Sequence, residues 1–447
     1  MLSQFFPGEV INGLLILHCL INISINLKNI INSLSLSVFY NLGVAIASFA
    51  NVMFIIKVKK YGIGDDVLHI YNYIDPRYID EASLLWAIGN SFVFIGYDFF
   101  MTKTFPSIAF IVDDKKVLKI MFNIILVISI LPFTGNYINL GFISGGLQKI
   151  LQLLLSVGIL FYSRLWVTEN NKLYGTYSIF LCVFQTLIAL YNSYIRIDLI
   201  TPTCIFFLGY FLGKGEVEYI FSYRIIPIVV IFAIFFQFFP TLGGNRAHFI
   251  NAFTKSDENA SYTDVEQEDN KGGSLLERSS CISQLTNIVR LTKEKGYYGG
   301  KASAPLIAAV IPRVFWPNKP KIELGSWFAL EIGAGTVSEF TGRVNNSVNM
   351  TVPGELYLDF SMLGMIIGCI LWGGLLAAFW NSANFNQSEY NLTGTLWGGY
   401  LLQGAMGTFV DMQSIITVSS TYLVFLLTKK VLDHYAHTGS RPSMEGK

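Results

Sequence analysis

One stretch of the sequence gathers much of what could do polar chemistry. Residues 240–355 hold 12 Lys/Arg and 12 Asp/Glu, in a chain of 447 residues with 31 basic and 30 acidic side chains in all. Four of the ten arginines lie within 278–343, Arg278, Arg290, Arg313 and Arg343, and Lys319 and Lys321 join them. A guanidinium grips phosphate in a bidentate fork and stays charged when partly desolvated. Beside a membrane, such a set suits the head group of a phospholipid or a polyprenyl diphosphate. It would equally serve to pair with the stretch's own acids or with ordinary anionic lipid.

The stretch ends on Gly354-Glu355-Leu356-Tyr357-Leu358-Asp359-Phe360. In a helix, Glu355 and Asp359 are one turn apart on one face. A carboxylate at a membrane boundary is costly unless paired or functional. Next to a sugar hydroxyl, Glu355 would act as general base, with Gly354 giving close backbone access and Asp359 as a second candidate. The alternatives are a salt bridge to Arg343 or Lys319, or a water-facing helix start. His248 is the one histidine of the stretch, either a proton acceptor or simply solvated. Asp98 lies within an apolar run, where an acid is a functional candidate by default, although a hydrogen bond to a neighbouring helix explains it as well. No Cys/His cluster suggests a metal.

Upstream, Ile311-Pro312-Arg313-Val314-Phe315-Trp316-Pro317-Asn318-Lys319-Pro320-Lys321 carries three prolines, which fix φ and forbid a helix interior. Trp316 favours the membrane–water interface. The segment reads as a stiff turn at head-group level that presents Arg313 and Lys319.

The elements that must position these groups are membrane spans. The chain is 52% hydrophobic and 14% charged, with a mean hydropathy of +0.49, whereas soluble domains average about 25% charged residues. Net charge is +1, which gives no basic bias towards nucleic acid. A span needs about 20 apolar residues. About eleven segments qualify, near 9–27, 35–56, 82–101, 117–134, 147–164, 174–192, 198–213, 222–239, 356–380, 393–410 and 412–428. The expectation is an all-α polytopic membrane protein: a bundle over 1–239, a large external loop over 240–355, further spans over 356–428 and a cytoplasmic tail over 429–447. The first apolar run has no basic residue before it and no small-residue cleavage site, so it reads as a retained span.

Lys429 and Lys430 place the C-terminus in the cytoplasm. Counting back puts 240–355 outside and most other basic span ends inside. Lys57, Lys59 and Lys60 break the rule, because the count puts them outside. Within the loop, Ser274-Leu275-Leu276-Glu277 has capping-box spacing, and apolar residues at near-helical spacing follow to Gly296. An amphipathic helix over 275–295 is expected, lying against the membrane or the bundle. Cys281, alone in the polar loop, offers a handle for a membrane-impermeant thiol reagent.

This layout resembles bacterial O-antigen and capsule repeat-unit polymerases of the Wzy type, which have many spans and one long late external loop. Pro312-Arg313 through Trp316-Pro317-Asn318-Lys319-Pro320 is similar to a Pro-Arg-x-x-Trp-Pro-x-Lys-Pro stretch of that family. Gly354-Glu355-x-Tyr357-x-x-Phe360 is similar to its Gly-Glu-x-Tyr-x-x-Phe stretch, with Asp359 and Ser361 standing where the family usually has Asn and Gly. The resemblance implies an integral-membrane glycosyltransferase of the GT-C type in the bacterial inner membrane. It would move a growing glycan from undecaprenyl diphosphate to the sugar of a second lipid-linked repeat unit on the outer side, without a metal or other cofactor. Glu355, Arg343 and Arg313 would be catalytic, and Arg278, Arg290, Lys319 and Lys321 would bind diphosphate, with a chain-length regulator and a flippase as partners. An O-antigen ligase would share the donor and favour His248. A lipid-linked oligosaccharide flippase would need polar groups lining a path between spans, and the spans hold few, Asp98 and His18 among them.

Overall fold

A computed structural model describes residues 6–30, 36–61, 75–107, 109, 120, 122–123, 145–192, 196–214, 280–303, 324–337, 344, 347–384 and 391. Outside them lie the capping box at 274–277, the proline-rich segment 311–321, Arg278, Arg313, Arg343, Lys319, Lys321, His248, most of the run 117–134, those at 222–239, 393–410 and 412–428, and the tail.

The described residues are almost wholly helical, with one isolated bridge between Val337 and Val344. The helices are α1 Gly8–Ile30, α2 Leu36–Tyr61, α3 Ile79–Met101 with a single 3-10 turn Pro76–Tyr78 before it, α4 Gly145–Thr168, α5 Lys172–Asn192, α6 Arg196–Lys214, α7 Ile282–Lys295, α8 Leu324–Glu331 and α9 Val352–Ala383. Four of them are long and apolar enough to cross a membrane: α1, α2, α3 and α9. This is a helical membrane protein. Helices α4, α5 and α6 also form where apolar runs predict them.

Two packed clusters emerge. The first joins α1, α2, α3, α7, α8 and α9, with Val157 and Leu160 of α4 at its edge. Its central contact is α3 on α9, which run parallel. Glycines let the two backbones meet: a methyl group added to Gly96 would lie 2.2 Å from the Ile370 carbonyl oxygen, and one on Gly373 2.1 Å from that of Val93. Small residues of this kind are how helices approach in lipid, where apolar contact alone gives little preference. Buried side-chain hydrogen bonds tie α2 to its neighbours. Tyr40 donates to Asn90 at 3.0 Å, Trp86 to Ser48 at 3.0 Å and Asn51 to Asn12 at 3.1 Å. The second cluster is aromatic. Phe122 stacks on Tyr177 with centroids 3.9 Å apart, and the edge of Tyr162 meets Phe122.

The basic end of α2 is explained by its neighbours. Lys59 Nζ pairs with Glu9 at 2.8 Å, and the Gly8 N–H donates to Asp80 Oδ1 at 2.6 Å. One residue on, Glu81 pairs with Lys293 of α7. The start of α1, the end of α2, the start of α3 and the loop helix therefore share one end of the bundle. Lys57, Lys59 and Lys60 thus lie at the end of the bundle that α7 also meets.

Candidate functional site

Helix α7 is the amphipathic helix expected in the loop, with a later start. Ser280 and Cys281 lie outside the helix, which begins at Ile282. Asn51 of α2 sets this boundary. Its Oδ1 accepts the Cys281 N–H at 3.0 Å and the Ser280 hydroxyl at 2.9 Å, so the residues before Ile282 are held by α2 rather than by a helical turn. Ile282, Leu285, Ile288, Val289 and Leu291 are buried on the bundle, not on lipid. Cys281 is buried, and burial pushes its thiol up to about 12 although Asn51 partly offsets this. The thiolate is the reactive form, so Cys281 is a poor labelling handle in the folded protein.

The start of α9 carries the two carboxylates. Thr351 caps it: its hydroxyl accepts the Gly354 N–H at 3.2 Å and its carbonyl the Glu355 N–H at 2.9 Å. Thr351 has φ +63°, which is rare for a β-branched residue. A methyl group on Gly354 would lie 2.7 Å from Ile288 and 3.0 Å from Leu285. The access offered by this glycine is taken up by α7 rather than left open to a substrate. Every residue from Val352 to Asp359 is buried, with Glu355 fully so and Asp359 1% exposed. The water-facing start is thereby excluded.

Asp359 faces the turn after α7. Its Oδ1 accepts the Ala302 N–H at 3.1 Å, and its Oδ2 accepts the Ser303 N–H at 2.9 Å and the Ser303 hydroxyl. Tyr297 sets its ring edge-on against Tyr357, with centroids 5.7 Å apart. Tyr298 donates to Glu331 at 2.7 Å, and Lys295 pairs with the same carboxylate, joining α8 to the turn. Lys295 first, then Tyr298, hold Glu331 below the usual carboxylate range. The Tyr298 hydroxyl is raised, by burial and then by Glu331.

Arg290 is half-buried on α7. It lies close enough to add to the lowering of Asp75, which comes chiefly from the hydrogen bond with Arg77. Lys293 sits 4.6 Å over the Tyr78 ring. Arg290 and Lys293 thus address the start of α3, while Leu285 and Ile288 address α9. Asp98 is on the exposed face of α3, nearest in charge to His18 of α1 and well along the helix from the end that meets α7. Among the described residues, no three His, Cys, Asp or Glu side chains converge as a metal site.

Several site residues lay outside the sequence reading: Asn51, Tyr298, Ser303, Glu331 and the Glu81–Lys293 pair. Gly299-Gly300 is a turn signal, and an asparagine inside an apolar run is a polar group in need of a partner. Both were visible, but their partners were not.

Residues 77–409 match a protein family described as a domain of unknown function, DUF8712, and the chain belongs to that family. No curated protein and no solved structure matches it.

Proposed function

We propose that this protein is a membrane glycosyltransferase that polymerises polyprenyl-diphosphate-linked oligosaccharide repeat units on the outer face of the bacterial cytoplasmic membrane. The observation that carries the reading is Glu355: a fully buried carboxylate at the first turn of a span, at the end of the bundle where the loop helix docks. A buried acid there is costly without a role.

In the reaction, the acceptor sugar's hydroxyl oxygen attacks the anomeric carbon of the donor glycan. The bond from that carbon to the diphosphate oxygen breaks, and polyprenyl diphosphate departs with the electron pair. Glu355 takes the hydroxyl proton. Arg290, with Arg278, Arg313, Arg343, Lys319 and Lys321, stabilises the departing charge. The chain needs no soluble nucleotide-sugar domain, since its donor is lipid-linked, and its partners are a flippase that delivers the donor and a chain-length regulator. With the loop outside, the tail is cytoplasmic.

Purified protein given one synthetic lipid-linked repeat unit is expected to produce a ladder of products. A single product on a different acceptor, with no ladder, would support the ligase instead. Movement of the lipid-linked unit between leaflets without any new glycosidic bond would support a flippase.

A further inference from the structure

Helix α9 is broken rather than curved. Ser361 sits inside it at φ +68° and ψ −173°, and Thr351 before it at φ +63°. Neither is glycine, and residues held in such conformations persist where the surroundings enforce them. The two positions bracket a short helix, 352–360, that carries both carboxylates. The break takes the Leu358 and Asp359 carbonyls out of the helical ladder. They accept instead the Tyr298 N–H at 3.0 Å and the Gly299 N–H at 2.9 Å. With the three bonds from Ala302 and Ser303 to the Asp359 carboxylate, five hydrogen bonds stitch the turn at 298–303 to the end of the short helix. The turn can follow that edge because Gly299 and Gly300 adopt φ +63° and +86°. At the other end, Gly354 is held by Leu285 and Ile288 of α7.

We infer that Asp359 is a positioning residue: by clamping the 298–303 turn it fixes the short helix and, one turn earlier on the same face, the Glu355 carboxylate. The inference rests on the reading of Glu355 as the base. An aspartate suits the place because all three groups aimed at it are donors. An asparagine would turn an NH₂ towards one set of them and lose an acceptor.

The test is Asp359→Asn in the purified full-length protein, by amide hydrogen exchange and by polymerisation kinetics. A hydrogen bond to a charged group is lost, so exchange at Ala302 and Ser303 is expected to rise about 10- to 100-fold. The rise should extend into 352–358, because the short helix loosens with the turn. Turnover should fall by a similar factor while the pH profile keeps its shape, whereas Glu355→Gln should abolish the limb set by the base. Ser303→Ala, which leaves the carboxylate and both N–H donors, should show the same pattern more weakly, and it stands in if Asp359→Asn does not fold. Unchanged exchange at 302–303 overturns the clamp. Exchange that rises at 298–303 but not at 352–358, or turnover equal to wild type, overturns the positioning role. If wild-type protein makes no polymer, the proposed function fails by itself and the exchange at 352–358 still decides the clamp.

Discussion

The two clusters of helices are built from different glue. Both use glycine to bring backbones together, Gly96 against Ile370 in one and Gly213 against Arg164 in the other. Beyond that they diverge. The first buries Asn12, Asn41, Asn51, Asn90 and Ser48 and cross-links its helices through them, and it also buries Glu355 and Asp359. The second, formed by α4, α5 and α6 with Phe122, buries serines. Ser163 bonds back to its own helix, while Ser178 reaches the Ile159 carbonyl and Ser156 accepts from Gln185. Tyrosine and phenylalanine rings fill the rest. Hydrogen bonds between spans contribute modestly, about 0.6 kcal/mol on average, but they are directional, whereas ring packing tolerates small shifts. A region that must hold a carboxylate in one place has reason to be stapled, and a supporting region does not.

The sharpest way to break this contrast is Glu355→Gln. A positioned general base contributes roughly 10²- to 10⁴-fold, so polymer formation should fall on that scale with protein level and lipid-substrate binding near normal. Wild-type turnover would leave the first cluster with no chemical distinction from the second. Asn51→Ala comes next. It strips an acceptor from Ser280 and Cys281 and a donor from Asn12, and each buried group left unsatisfied costs about 1–3 kcal/mol. Cys281 should resist a maleimide in the native wild-type protein and react in the variant. A wild-type Cys281 that reacts like a free thiol would refute the docked arrangement of α7. In the aromatic cluster, Tyr177→Leu should lower thermal stability by only ~0.5–1.5 kcal/mol, the worth of an aromatic pair beyond its area. Activity per folded molecule should hold, and a selective loss of activity would show the second cluster to be more than support. The smallest effect concerns Glu331. Its folded value lies below the ordinary 4.5, so its contribution is present above 4.5 and fades as pH falls through the lower folded value. Protease resistance at residues 296–303 should be flat from neutral pH down to 4.5 and weaken only as pH falls below it.

Much of the framework was legible because it is local. The runs read at 9–27, 82–101 and 356–380 became Gly8–Ile30, Ile79–Met101 and Val352–Ala383, since apolar length alone decides a span. Glu355 and Asp359 were visible as acids at a boundary. What each does was not, because their surroundings are distant in sequence. Asp359 answers to residues 56 and 57 positions earlier, and Asn51 to residues 229 and 230 positions later. The break at Ser361 left one trace, the glycine usual at that place in the resembled family, because a positive φ favours glycine; the serine itself gives no sign of it. The start of α7 was misplaced for a related reason. The sequence offers a capping box at 274–277, while an asparagine from another span holds 280 and 281 out of the helix.

The cluster of ends around Glu9, Lys59 and Asp80 bears on how the chain is made. On the proposed topology, with the loop outside, the Lys57–Lys60 end of the first hairpin would have to be translocated, against the preference that keeps basic flanks in the cytoplasm. A nascent chain that stops after α2 should therefore settle upside down. Only when α3 emerges does Asp80 become available to the free N–H at the head of α1, and only much later does α7 arrive to cover the site. The correct arrangement of the first two spans is then a decision taken late in synthesis, and truncation experiments on the N-terminal hairpin should report an orientation that the whole protein does not keep.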